Sequence, residues 1–181
     1  MYHQAIAAQY PTDFSYFKYI ESGWHTRQTM VQVFDHYFGG PAQVGKILEF
    51  ASGHGRATRF LTQVIPAERY WVSDIYEDAM ACQRDACGVH TRQSYGHPDA
   101  FTTTERFDLI TAMSLFTHLP DDLFGAWLRK LADLLTEKGV LLITVRDSTT
   151  VEPDRSLTGI DQTGIVYEET SESRSLPKSI Y

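Results

Sequence analysis

The sequence predicts an α/β fold built on one doubly wound, mostly parallel sheet. Short apolar runs bounded by turn residues alternate along the chain with segments of helical spacing. A glycine-rich turn joins the first apolar run to the helical segment that follows it. The chain has 181 residues and is 43% hydrophobic, enough for one domain with one continuous core. Strands that alternate with helices are typical of a parallel sheet with right-handed crossovers and helices on both faces.

Four apolar runs are predicted as strands, at residues 46–50, 70–73, 107–113 and 140–145, and a further strand of polar composition is predicted at 90–94. Three segments between them are predicted as helices, at residues 56–64, 76–86 and 121–135. In the first of these helices Ala57, Phe60, Leu61 and Val64 recur on one face. In the second we expect Met80 and Ala81 to point inward. Gly139 is expected to separate the last helix from the last strand, which is the most hydrophobic run in the chain.

The two flanks of this core differ in composition. Residues 1–38 contain ten of the 23 aromatic residues, and residues 1–40 are therefore predicted to form a helical cap. This cap either closes over a ligand or packs on the sheet without touching one. Residues 41–146 form the predicted core domain. Residues 147–181 form a polar segment, with a strand expected only at 164–167 and an acidic, solvated run at 168–172.

The charge balance and the apolar pattern argue against several classes of protein. The net charge is −7 and the basic residues are scattered, so a nucleic-acid partner is not expected, because phosphate binding needs a basic face. No run approaches the roughly 20 apolar residues of a membrane helix. No signal peptide is visible at the N-terminus, and a cytoplasmic location follows as the default.

The metal-ligating residue types form no recognisable site. Cys82 and Cys87 lie five residues apart on a predicted helix and do not share a face, which argues against a metal pair or a disulfide. We expect both to be small buried or half-buried thiols. The seven histidines form no cluster with ligand spacing, so no metal site is predicted.

The turn after the first strand is the most informative stretch. The strand contains Glu49 and leads through Ala51, Gly53 and Gly55 into a helix. Glycines allow positive backbone torsions and close approach of a ligand to the main chain. In a doubly wound sheet this turn lies at the carboxyl edge, where ligands bind. Asp74 follows about 20 residues later at the end of the second strand, where a carboxylate accepts both hydroxyls of a ribose.

The details of this turn favour S-adenosylmethionine over a dinucleotide. The third glycine of a dinucleotide fingerprint is replaced by Thr58, and Glu49 precedes the turn. A pyrophosphate would favour a less acidic approach to the helix. S-adenosylmethionine carries no phosphate, and its sulfonium and amino groups are cationic, so nearby carboxylates suit it.

The segment LEFASGHGR resembles motif I of the class I S-adenosylmethionine-dependent methyltransferases. Asp74 looks like their ribose-binding acid, FDLITAMSLFTHLP is similar to their fourth-strand motif, and LTEKGVLLITV to their fifth strand. The resemblance covers residues 44–146 and is greatest to enzymes of small-molecule, glycan or lipid pathways. It implies a Rossmann-like fold. Family sheets end in an antiparallel hairpin, which residues 146–181 do not match, so the last two strands are expected to be missing.

The resemblance implies cofactor-binding roles for five residues of the loop region. Ala51, Gly53 and Gly55 would pass under the methionine part of the cofactor, and Ser52 would bind within the same loop. Glu49 would order the loop and the cofactor's amino group.

Five further residues are assigned to the cofactor by the same resemblance. Asp74 would hold the ribose and Ile75 would pack on the adenine. Ser94 stands where many relatives place an acid for the adenine amino group. Met113 and Ser114 would line the cofactor near its sulfonium.

The resemblance implies methyl transfer to an oxygen, nitrogen or carbon nucleophile of a small metabolite or glycan precursor. His118 is the candidate general base, with a brace for the loop before Pro120 as the alternative. A non-catalytic cofactor-binding interaction module and an NAD-dependent oxidoreductase remain alternatives. The apolar strand at 140–145 is expected to be covered, either by residues 146–181 or by self-association with a second copy.

Overall fold

The computed structural model describes residues 12–145 as a parallel sheet with helices on both faces. Its five strands are β1 (Ile47–Phe50), β2 (Tyr70–Asp74), β3 (His90–Gln93), β4 (Phe107–Ala112) and β5 (Leu135–Ile143). They lie in the order β3-β2-β1-β4-β5, and all neighbours are parallel. The chain therefore moves outward from β1 to β3 and then returns to the other side of β1. The predicted doubly wound α/β fold is confirmed, with its switch point between β1 and β4.

Four helices accompany these strands in the described part of the chain: α1 (Thr12–Phe38), α2 (Thr58–Leu61), α3 (Glu77–Cys87) and α4 (Asp121–Ala132). Successive residues of β1 and β4 belong to two different core clusters, because side chains alternate across a strand. One cluster joins Met30 and Phe34 of α1 to Leu61 of α2. The other contains Trp127 and Leu131 of α4. Helix α3 packs on β2 and β3.

The helix predicted at 56–64 is shorter in the structure. Only α2 is α-helical there. The carbonyl oxygen of Leu61 then accepts both from Val64 N, three residues on, and from Ile65 N, four residues on, which is an irregular final turn. Pro66 disfavours the α conformation of the residue before it and therefore prevents the helix from continuing past this turn. Ala57 and Leu61 are buried as predicted, whereas Phe60 and Val64 are half-buried.

The boundary between the last helix and the last strand was predicted wrongly. Helix α4 ends at Ala132, and β5 begins at Leu135 and runs through Gly139. The register between β4 and β5 shifts at Phe107 and Leu109. A Cβ on Gly139 would lie 2.8 Å from the carbonyl oxygen of Phe107. Gly139 therefore permits close strand approach at an irregularity rather than marking the end of a helix.

The other elements begin and end within one residue of their predicted bounds. Met80 is buried as predicted, and Ala81 is half-buried. Cys87 is half-buried, but Cys82 is exposed, contrary to expectation, because it lies on the solvent side of α3. Within residues 12–145 no cluster of metal-ligating side chains occurs. In the same range, no helix is both long and apolar enough to cross a membrane.

Several predictions fall on residues outside the described range. These are the first part of the predicted cap, the strand at 164–167, the acidic run at 168–172 and the covering of β5 by residues 146–181. The described part of the cap is one helix, α1, whose C-terminal half carries the fully buried Met30 and Phe34.

Candidate functional site

The carboxyl ends of the central strands bring most of the predicted site residues to one edge of the sheet. Phe50, at the end of β1, lies opposite Ser73 of β2 and Ala112 of β4. The segments that follow these strands therefore meet at this edge. They are the glycine loop, defined as residues 51–56, the region around Asp74, and the turn that contains Met113 and Ser114.

The glycine loop places every second residue in the left-handed region. Ala51 has a φ of 57°, Gly53 of 56° and Gly55 of 73°. A left-handed torsion costs a residue with a Cβ roughly 1–2 kcal/mol, so Ala51 is held there against its preference. The hydrogen bond from Ser52 N to Ser73 O, 3.1 Å long, ties the loop to β2.

The two glycines of the loop are required for different reasons. A Cβ on Gly53 would meet no protein atom within 4 Å, so only the backbone torsion demands glycine in the free chain. A Cβ on Gly55 would lie 2.8 Å from Cγ of Gln83. Gly53 therefore faces open space, while Gly55 makes room for a side chain of α3.

Asp74 is bonded to the loop by its own carboxylate. Its Oδ2 accepts a hydrogen bond from Gly53 N at 2.7 Å, and its Oδ1 accepts one from Tyr76 N at 3.1 Å. The residue is only 6% exposed. A carboxylate offers about four acceptor sites, so Asp74 retains capacity for the hydroxyls of a ligand.

Glu49 lies in a different environment from Asp74. Its Oε2 is 2.7 Å from Thr58 Oγ1 and 2.8 Å from the hydroxyl of Tyr70, which donates to it. Burial raises the pKa of the Glu49 carboxyl, and the hydrogen bonds to Thr58 and Tyr70 only partly oppose this. The neutral form is thus favoured relative to an exposed glutamate.

Gln83 is the site residue that the sequence analysis missed. Its Nε2 donates to Gly53 O at 2.8 Å and to Ser52 Oγ at 3.0 Å, and its Oε1 accepts from Thr58 Oγ1 at 2.6 Å. The signal was present, because position 83 lies one turn after the buried Ala79. A polar residue on the buried face of an amphipathic helix needs polar partners.

The residues predicted to bind the adenine lie beside Asp74. Ser94 is buried and its N donates to Asp74 O at 2.9 Å. Ile75 is half-buried, and its carbonyl oxygen accepts a bond from Gln93 Nε2 at 2.9 Å. The structure therefore gathers Asp74, Ile75 and Ser94 into one continuous segment of the edge.

The turn after β4 contains the remaining predicted residues. Met113 is half-buried against the core on the α1 side, and Ser114 is exposed with a φ of 61°. Ser114 N donates to Thr144 Oγ1 at 2.7 Å, which fixes this strained residue to the end of β5. His118 ends a short 3-10 turn that begins at Phe116, and its N donates to Leu115 O at 2.9 Å. His118 thus belongs to the connection between β4 and α4.

Helix α1 packs beside the glycine loop. A Cβ on Gly23 would overlap the carbonyl oxygen of Arg56, so glycine permits close contact there. The Trp24 and Phe60 rings meet edge to face at 5.9 Å. The guanidinium of Arg59 lies 5.3 Å from the centre of the Tyr19 ring. The N-terminal half of α1 is therefore close to the segment that carries the loop.

Comparison with solved structures yields methyltransferases of the same fold. DesVI of Streptomyces venezuelae is 15% identical with a TM-score of 0.56, and the alignment covers 72% of this chain and 54% of that one. The plantazolicin methyltransferase BpumL, solved with SAH, is 14% identical with a TM-score of 0.59, covering 77% and 51%. The sugar N-methyltransferase KedS8 from Streptoalloteichus is 18% identical with a TM-score of 0.57, covering 69% and 49%.

These similarities concern the fold, and the chain spans about half the length of each of the three structures. No curated protein sequence matches it significantly. A family model described as a methyltransferase domain matches residues 24–170, which is most of the chain. The chain belongs to this methyltransferase domain family.

Proposed function

We propose that this chain binds S-adenosylmethionine at the carboxyl edge of its sheet. We also propose that it transfers the methyl group to an oxygen, nitrogen or carbon nucleophile of a small metabolite or glycan precursor. One observation carries the proposal. The left-handed Gly53 faces open space, and its backbone N is bonded to Asp74, the predicted ribose acid, at the switch point. Ligands bind at this point in doubly wound sheets.

The chemistry of the side chains present fits this cofactor. Asp74 has acceptor sites left for the ribose hydroxyls, and Ile75 and Ser94 lie next to it for the adenine. The loop backbone at Gly53 leaves room for the methionine part. When bound, the cofactor supplies an electrophilic methyl group on a sulfonium, and the remaining work is to position the nucleophile. Alignment of two reactants is worth about 7–11 kcal/mol in well-oriented systems.

A small acceptor fits the charge and the relatives better than a nucleic acid does. The net charge of −7 opposes binding through phosphates. KedS8 is a sugar N-methyltransferase and BpumL a plantazolicin methyltransferase, and both share the fold. Helix α1 contacts Arg56 at the end of the glycine loop and the adjoining helix α2, which supports a role for its N-terminal half as a cap over the acceptor. A cytoplasmic location fits the free thiols of Cys82 and Cys87.

His118 is the proposed general base, and turnover distinguishes this role from that of a brace. As a base, His118→Ala lowers turnover by roughly 10²–10⁴ with unchanged affinity for S-adenosylhomocysteine. As a brace, the variant melts at a lower temperature without a specific loss of turnover.

Titration calorimetry with S-adenosylhomocysteine and, separately, with NAD tests the proposal, together with methyl transfer to a panel of small acceptors. We expect binding of S-adenosylhomocysteine and turnover with at least one acceptor. Binding without turnover on any acceptor would indicate a non-catalytic interaction module. Binding of NAD alone would indicate an oxidoreductase and contradict the proposal.

A further inference from the structure

Gln83, on helix α3, contacts three residues of the glycine loop. Its amide donates to Ser52 Oγ and Gly53 O, and its stem lies against Gly55. We propose that Gln83 is a positioning residue that fixes the glycine loop in its ligand-binding conformation. This inference rests on the proposed function, in which the loop binds the cofactor.

The orientation of the Gln83 amide follows from its partners. Gly53 O is only an acceptor, and it lies 2.8 Å from Nε2. The opposite orientation would place two carbonyl oxygens in contact without a proton between them, and hydrogen-bond partners are the ground on which an amide is assigned. Oε1 therefore faces Thr58 Oγ1 at 2.6 Å and must accept its proton.

The single proton of the Thr58 hydroxyl then determines the protonation of the Glu49 carboxyl. Thr58 Oγ1 lies 2.6 Å from Gln83 Oε1 and 2.7 Å from Glu49 Oε2, and one hydroxyl donates one hydrogen bond. Since the proton points to Gln83, Glu49 must be the donor in the second bond. The arrangement is complete only when the Glu49 carboxyl is protonated.

The result is a series of hydrogen bonds that all donate in the same direction. It runs from the hydroxyl of Tyr70 to Glu49, then to Thr58 and Gln83, and ends at Gly53 O in the loop. The four side chains that form it are buried, and hydrogen-bond networks in the interior specify one arrangement of the groups they join.

The surroundings of Glu49 agree with a neutral carboxyl. Burial is the main cause of its raised pKa, and the nearby Asp74 adds to it. The hydrogen bonds that Glu49 shares with Thr58 and Tyr70, and the charge of Arg56, lower the pKa but do not cancel the effect of burial. The Tyr70 pKa is also raised, by burial and by Glu49, so this phenol stays protonated as a donor.

The variant Gln83→Glu tests the role of the donor. A protonated carboxyl at position 83 both donates to Gly53 O and accepts from Thr58, whereas the carboxylate only accepts. We expect near wild-type affinity for S-adenosylhomocysteine at about pH 5 and a loss of tenfold or more towards about pH 9. Thr58 links position 83 to Glu49, whose own surroundings include Tyr70, Asp74 and Arg56. The wild type is therefore titrated in the same buffers to remove the contribution of these groups.

Two further variants make the outcome specific. Arg84→Gln, on the next and exposed position of α3, is the matched control and should bind as the wild type does throughout. Gly53→Val tests the proposed function, because its side chain fills the open space at the loop. If Gly53→Val binds normally, the cofactor lies elsewhere and the proposed function fails in its placement.

The decisive comparison is between these variants. Loss of binding in Gly53→Val together with pH-dependent loss in Gln83→Glu supports the positioning role. Loss in Gly53→Val with wild-type affinity of Gln83→Glu across the pH range overturns it and leaves the proposed function intact. Hydrogen exchange of the loop amides in the free protein gives a second readout. The loop amides in Gln83→Glu should exchange faster than in the wild type near pH 9 and at the wild-type rate near pH 5, after correction for the intrinsic rates.

Discussion

The two acidic residues of the site differ in what their carboxyl groups contact. Asp74 accepts bonds from the backbone N of Gly53 and Tyr76, next to the open space of the loop. Glu49 is enclosed by Thr58 and Tyr70 in the interior. From the sequence, Asp74 was predicted to hold the ribose and Glu49 to order both the loop and the cofactor's amino group. The contacts suit Asp74 to direct ligand binding and Glu49 to support of the loop.

Asp74→Ala should weaken the binding of S-adenosylhomocysteine by about 1.5–3 kcal/mol, the usual contribution of a hydrogen bond to a charged group. The variant removes both the ribose acceptor and the bond to Gly53 N. Calorimetry measures the change, with Asp78→Ala as the control, since Asp78 is an exposed carboxyl in the first turn of α3. Equal affinities of Asp74→Ala and the wild type would refute the ribose assignment.

The buried Glu49 should make the stability of the free protein depend on pH. Because its pKa is raised in the folded state, the folded chain binds the proton more tightly than the unfolded chain. The stabilisation is present below the unfolded pKa and is lost as the pH rises through the folded pKa. The free energy of unfolding, measured with denaturant, should fall less between about pH 5 and about pH 8 in Glu49→Gln than in the wild type. Identical pH profiles would mean that Glu49 is not buried as described.

At the scale of elements, boundaries set by neighbouring residues were predicted correctly, whereas those set by contacts with distant parts of the chain were not. The strand, turn and acid from Ile47 to Asp74 were predictable because each signal is local. The end of α4 and the start of β5 could not be predicted in this way. Glycine is needed at position 139 because the carbonyl oxygen of Phe107, on the neighbouring strand, lies close to it. The helical spacing of Gln83 from Ala79 places it on the buried face of α3, but its partners Ser52 and Gly53 are far away in sequence and could not be predicted from that spacing.

Gly139→Ala should destabilise the protein by about 1–3 kcal/mol, because the added methyl group would lie 2.8 Å from Phe107 O and 2.9 Å from Leu135 Cβ. Gly125→Ala in α4 is the matched control. There the new Cβ meets only the flexible end of Arg129 at 3.4 Å, and a helix gains about 0.5–1 kcal/mol from the change. Denaturant unfolding should give shifts of opposite sign. A neutral Gly139→Ala would show that the β4–β5 irregularity does not need glycine.

At the scale of the whole molecule, β5 is an edge strand within the described residues. It pairs with β4, and Val140, Leu141, Leu142 and Ile143 are half-buried. A long apolar edge is a template for pairing with another chain. We therefore still predict that residues 140–145 are covered, either by residues 146–181 or by a second copy of the chain.

Hydrogen exchange combined with light scattering tests this prediction on the 181-residue chain. Thr144 N donates to β4, so by alternation the amides of Leu141 and Ile143 point to the open side. We expect these two amides to exchange slowly, in a monomer if residues 146–181 cover the edge and in a dimer if a second copy does. Fast exchange in a clean monomer would contradict a covered edge.

We propose that this methyltransferase domain holds its cofactor at the switch point between β1 and β4. Amide chemical shifts recorded during titration with S-adenosylhomocysteine test this over the whole molecule at once. We expect saturable shifts concentrated in residues 51–56, at Asp74 and Ile75, at Ser94, and at Met113 and Ser114. Saturable shifts confined to another surface, or none at millimolar ligand, would contradict the account.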